Sequence, residues 1–80
     1  MFKIAKRDDL VWWFRTDRDV SGWTLNLANA IVFHSRAAVD QRAAHDSRTE
    51  KMLFILDASS DVDIDPIATV INGKVINAPT

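Results

Sequence analysis

Asn72-Gly73 stands between two apolar runs, Ile67-Ala68-Thr69-Val70-Ile71 and Lys74-Val75-Ile76. The tightest hairpin turns need positive φ at both central residues, and Asn-Gly adopts it at least cost. The pair therefore predicts a β-hairpin, which commits the chain to an antiparallel sheet. The acids point the same way. Ten of the eleven are Asp, Glu50 being the exception, and Asp suits turns, caps and strand ends better than helix interiors. A helix bundle is disfavoured.

The rest of the chain supplies partners for that hairpin. Phe2, Ile4 and Lys6 alternate with Lys3, Ala5 and Arg7, which is strand period. Asp8-Asp9 is predicted as a two-residue turn, and Leu10 to Thr16, rich in aromatic residues, as a second strand. After a polar loop from Asp17 to Gly22, Trp23, Leu25 and Leu27 alternate with Thr24, Asn26 and Ala28, giving a third strand. These three should form an antiparallel meander. Lys51 to Leu56 is an apolar run suited to a buried central strand.

Residues 29–48 admit two readings. Ser35 is a good N-cap before a stretch of high helix propensity, which gives a helix over about 36–48 with Ile31-Val32-Phe33 as a short strand before it. The rival is one helix from Trp23 to His45. It gains an apolar face but must absorb Gly22, Asn26 and Asn29 and exceed the usual length. Strand then helix is preferred. The expected fold is α+β: an antiparallel sheet of about five strands with one helix packed on one face, residues 1–80 forming a single compact domain.

A chain of 80 residues buries only ~60% of its unfolded surface, so the core must be small. Net charge is −1, which gives no bulk field for DNA or membranes. Without cysteine, disulfides and thiolate metal sites are excluded. The first residues lack the apolar run of a signal peptide, and no stretch reaches the length of a membrane span, so a cytoplasmic, membrane-free protein is expected.

Little in the chain suggests catalysis. His34 and His45 are the only histidines, with Ser35, Asp40, Asp46 and Ser47 near them in sequence. No pattern places a nucleophile, a base and an orienting group together. Zinc-protease, phosphate-loop and dinucleotide motifs are lacking. Asp61, Asp63 and Asp65 match the start of a calcium loop, but Pro66 stands where the sharp Gly turn belongs and Asn72 where a bidentate Glu belongs. No enzyme activity, cofactor or metal is expected.

Two features suggest binding instead. From Asp57 onward the chain carries Asp57, Asp61, Asp63 and Asp65 against Lys74 alone. In an extended segment three of these would form a row of carboxylates able to face a basic groove, or would simply be solvated. The second strand places aromatics on both faces: Trp12 and Phe14 on one, Trp13 on the other with Arg15. One helix covers one face, so one indole should lie under it and its neighbour partly in solvent. Trp with Arg is typical of an interface hot spot. Base stacking beside Lys3, Arg7, Arg15 and Arg18, or burial of both rings by a curled sheet or a dimer, are the alternatives. Arg36–Asp40 and Arg42–Asp46 suggest a salt-bridged outer helix surface.

The whole profile, about 80 residues without cysteine, with a compact α+β body, segregated charge and no catalytic apparatus, resembles the small anti-CRISPR proteins of bacteriophages. That resemblance implies a non-enzymatic inhibitor in the host bacterial cytoplasm. It would bind a CRISPR surveillance complex and block target DNA binding or nuclease recruitment. The net charge departs from strongly acidic DNA mimics and favours a shaped protein contact with a local acidic patch. The expected partner-binding residues are Asp57, Asp61, Asp63, Asp65, Trp12, Trp13 and Arg15, in a monomer or homodimer. The alternatives are a small single-stranded nucleic-acid binder and a structural or assembly subunit.

Overall fold

The Asn72-Gly73 turn is present, with φ of 50° and 82°, and it joins the last two strands. The structure, a computed structural model, describes residues 1–57 and 66–78. The fold is α+β. One helix, α1 (Arg36–Glu50), packs against a six-stranded antiparallel sheet built from β1 (Phe2–Asp8), β2 (Val11–Arg15), β3 (Trp23–Thr24), β4 (Met52–Asp57), β5 (Pro66–Ile71) and β6 (Lys74–Asn77). The spatial order is β3-β2-β1-β4-β5-β6. The first three strands form the expected meander, and the apolar run before Asp57 becomes the central strand β4, between β1 and β5.

Three local expectations are corrected. The first turn is Asp9-Leu10 rather than Asp8-Asp9, because Asp8 still pairs with Val11 and Asp9 takes φ of 60°. The third strand stops at Thr24. Thr24 Oγ1 accepts from the Asn26 N–H at 3.1 Å, and Asn26 Oδ1 accepts from the Ala28 N–H at 3.0 Å. Short polar side chains here satisfy the backbone in place of a strand partner, and the chain turns into a 3-10 segment at Leu27–Asn29. The strand expected at 31–33 shrinks to one bridge, Phe2 with Phe33. The helix starts where Ser35 caps it, with its hydroxyl oxygen accepting from the Ala38 N–H at 3.1 Å. The single long helix from Trp23 is thereby ruled out.

The core lies between α1 and the sheet. Ile4, Val39, Leu53, Ile55 and Val70 are fully buried there, with Trp23, Ala43 and Ala68. Each large aliphatic contributes about 1.5–3 kcal/mol relative to exposure. A bulge lets β5 change register: Ile55 faces Ala68 but Leu56 faces Pro66, so Ile67 has no opposite residue. Pro66, which has no N–H to offer a ladder, sits at the strand start beside this bulge, where proline is tolerated.

The helix buries Val39, Ala43, Asp46 and Ser47. Ser47 ties it to the last hairpin. Its hydroxyl donates to the Ala44 carbonyl at 2.9 Å and accepts from the Gly73 N–H at 2.8 Å. Ser47→Ala strands that N–H without a partner, and urea unfolding should show a loss of about 1–2 kcal/mol. An unchanged midpoint would mean that the tie adds nothing.

Candidate protein interface

Strand alternation assigns the two tryptophans of β2 to opposite faces. Trp13 packs, half-buried, against the helix-side core. Trp12 joins a second cluster on the other face, with Ala5, Phe14, Ala30, Leu56, Leu27 and Phe54. As the alternation predicts, Trp13 and Arg15 share the helix side, and Trp12 lies on the opposite face.

The described residues cover the second face only in part. The segment after β3 crosses it, held by Thr16 Oγ1 donating to the Asn29 carbonyl at 2.7 Å and by the Ile31 N–H donating to the Arg15 carbonyl at 2.9 Å. Lys3 lies buried on this face and donates to the Leu27 carbonyl at 2.9 Å. Beyond this cover the registers align two rows. Phe14, Ala5, Phe54, Thr69 and Ile76 run across the sheet as direct neighbours. The adjacent row contains Trp12 beside Arg7, and Met52, Ile71 and Lys74. Met52, Ile71 and Ile76 are 46%, 39% and 54% exposed. Trp12 stands edge-on to Phe54, with ring centroids 5.3 Å apart, and the Arg7 guanidinium lies 5.3 Å from its indole centre. The result is a largely apolar strip across five strands, from β2 to β6, interrupted by Arg7 and Thr69, with Arg7 toward one end and Lys74 at the other. Sequence reasoning found Trp12 but missed Met52, Phe54, Ile71 and Ile76, because a continuous apolar run such as Met52–Leu56 does not reveal which of its faces stays open.

Arg15 has structural duties. Its Nε is buried and lies 3.4 Å from Asp46 Oδ2, at ion-pair distance without hydrogen-bond geometry. The same oxygen accepts from Arg42 Nε at 3.1 Å. The Arg42–Asp46 pair was expected on the outer helix surface. Instead Asp46 is 91% buried and faces the sheet, while Arg36–Asp40, at 2.8 Å, is the more exposed pair. The Arg15 guanidinium also lies 5.2 Å from the Trp23 ring. Gly22 makes room for it, since a Cβ there would come within 2.7 Å of Arg15 Nη1, and its φ of 81° disfavours any other residue. Lys6 stands 4.5 Å from the same ring and 3.3 Å from Glu50. Beside these groups is a cavity of about 220 Å³ lined by Lys6, Asp8, Trp13, Ser21 and Trp23. At its rim the Ser21 N–H and hydroxyl both donate to Asp19, which holds that carboxyl below the usual aspartate range. This contribution is complete above the ordinary aspartate pKa and fades as pH falls through the lowered one.

Asp57 ends β4 opposite Phe2 and is exposed. Asp61, Asp63 and Asp65 lie outside the described residues. Among the described residues no group of three His, Asp or Glu side chains could hold a metal, and no helix is long and apolar enough to cross a membrane. His34 and His45 are exposed, Ser35 and Ser47 serve the helix, and Asp40 and Asp46 pair with arginines.

Asp46→Ala leaves Arg15 and Arg42 facing each other without an anion. Because both guanidiniums keep some solvent, the expected loss is about 1–3 kcal/mol by denaturant unfolding, less than for a fully buried pair. Removing Arg15 in the same chain should recover part of it, and strict additivity would contradict a shared site. Comparisons with family models, curated proteins and solved structures give no match to this chain.

Proposed function

We propose that this chain acts by binding, as a non-enzymatic inhibitor that docks on a host CRISPR surveillance complex and blocks target DNA binding or nuclease recruitment. The observation that supports docking on a protein is the open strip of Trp12, Met52, Phe54, Ile71 and Ile76. Aromatic and aliphatic groups side by side on a rigid sheet suit the apolar centre of an interface, and Arg7 and Lys74 suit its polar rim. The choice of partner follows the resemblance of the whole profile to the small phage inhibitors. In this reading Trp12 is the anchor, and Asp57, Asp61, Asp63 and Asp65 meet Lys and Arg of the effector's DNA path. Arg15 positions Trp23 and Asp46, and Trp13 belongs to the opposite face.

The nucleic-acid alternative loses two of its four cations: Lys3 is buried beneath a loop and Arg15 pairs with Asp46. Arg7 and Arg18 alone are fewer charges than tracking a phosphate backbone calls for.

The test is titration of purified surveillance complexes with the chain while target-DNA binding is followed. Stoichiometric inhibition is expected. A Met52→Glu, Ile76→Glu variant, altered only at exposed positions, should bind at least about tenfold more weakly while its thermal midpoint moves little. Full inhibition by that variant would remove the strip from the mechanism. Salt-sensitive binding of free single-stranded DNA, with no effect on any complex, would overturn the reading in favour of the nucleic-acid alternative.

A further inference from the structure

Trp23 and Trp12 each hold a cation over the ring, and among the described residues Trp13 does not. Trp23 holds Lys6 at 4.5 Å, with Glu50 as that lysine's anion, and Arg15 at 5.2 Å, with Asp46 as that arginine's anion. Trp12 holds Arg7 at 5.3 Å on the far face. Trp13 has no cation over its ring among the described residues, although it is half-exposed and borders the cavity. Asp8 borders the same cavity and is exposed, and its carboxylate makes neither a hydrogen bond nor an ion pair among the described residues.

The register explains why the two belong together. Lys6 is directly opposite Trp13 in the β1–β2 ladder, and Asp8 follows two residues later on the same face. Asp8 is thus the diagonal neighbour of Trp13, a separation that long side chains span. Trp13 and the Asp8 carboxylate therefore border one cavity, while the charged ends of Lys6, which also lines it, and of Arg15 lie against Trp23. Lys6 is paired with Glu50 at 3.3 Å, which leaves the Asp8 carboxylate as the lining charge without an ion-pair partner among the described residues.

We propose that this cavity is a seat for one arginine side chain of the docked protein partner. The inference rests on the reading that the chain binds a protein, and it adds a second contact on the face opposite the apolar strip. A planar guanidinium can lie against the indole and present two parallel donors to the carboxylate, and it is more weakly hydrated than an ammonium. The cavity, about 220 Å³, falls below the ~300–1,000 Å³ of small-molecule sites and fits one long side chain.

The test uses the full chain and a short capped Gly-Arg-Gly peptide, followed by NMR at the three indole N–H groups. A saturable shift at Trp13 is expected, with Trp12 unmoved. The same peptide with citrulline, which keeps the shape and loses the charge, should bind at least about tenfold more weakly, and Asp8→Asn should weaken the arginine peptide by a similar factor. No shift at Trp13, equal binding of the citrulline peptide, or an unaffected Asp8→Asn variant would each overturn the seat. No surveillance complex is needed for this assay. Peptide binding without inhibition therefore keeps the seat and removes the proposed partner, and inhibition without peptide binding does the reverse.

Discussion

A sheet has two faces, and this chain has one helix of 15 residues to cover them. That mismatch organises the molecule. On the helix side, Ile4, Leu53, Ile55 and Val70 close against Val39 and Ala43. On the other side, among the described residues, the cover is the crossing that brings Leu27 and Ala30 over Ala5, Phe14 and Leu56. The crossing is short because Thr24 and Asn26 end the third strand early and turn the backbone over the sheet. Beyond its reach, Met52, Ile71 and Ile76 keep substantial exposure. Exposed apolar side chains gathered on one sheet face suit a docking surface.

The opposite corner follows a different rule. Asp46 accepts charge from Arg15 on the sheet and Arg42 on its own helix. Glu50 does the same for Lys6 one turn later. Arg15 and Lys6 both lie against Trp23, so the indole joins the helix-side core to these two ion pairs. The helix can afford its small, polar inner face (Val39, Ala43, Asp46 and Ser47) because Asp46 and Ser47 find partners there. Small residues at the contact also permit close approach of helix and sheet.

Much of this was legible beforehand, and the reasons differ by element. Asn72-Gly73 encodes its turn through positive φ, and Ser35 encodes the helix start through its hydroxyl, so both are local and both were readable. The helix was readable from propensity and cap rather than from an apolar stripe, since its buried face carries a single large aliphatic residue, Val39. The early end of β3 was not readable. Trp23, Leu25 and Leu27 alternate as a strand would, and the hydrogen bonds of Thr24 and Asn26 outweigh that pattern. The division of Trp12 from Trp13 followed from period two, but the open strip depends on which strands become neighbours. Phe54 meets Trp12 only because β4 lies beside β1. Likewise, nothing local in the helix sequence says that Asp46 turns inward to Arg15, 31 positions away along the chain.

The most direct test of an uncovered second face is methyl NMR of the free chain with a soluble paramagnetic agent. Strong broadening is expected at the Met52, Ile71 and Ile76 methyls, with Ile4, Leu53 and Ile55 protected. Protection of Met52, Ile71 and Ile76 equal to that of Ile55 would show the face sealed in the free protein, leaving no open strip for a partner.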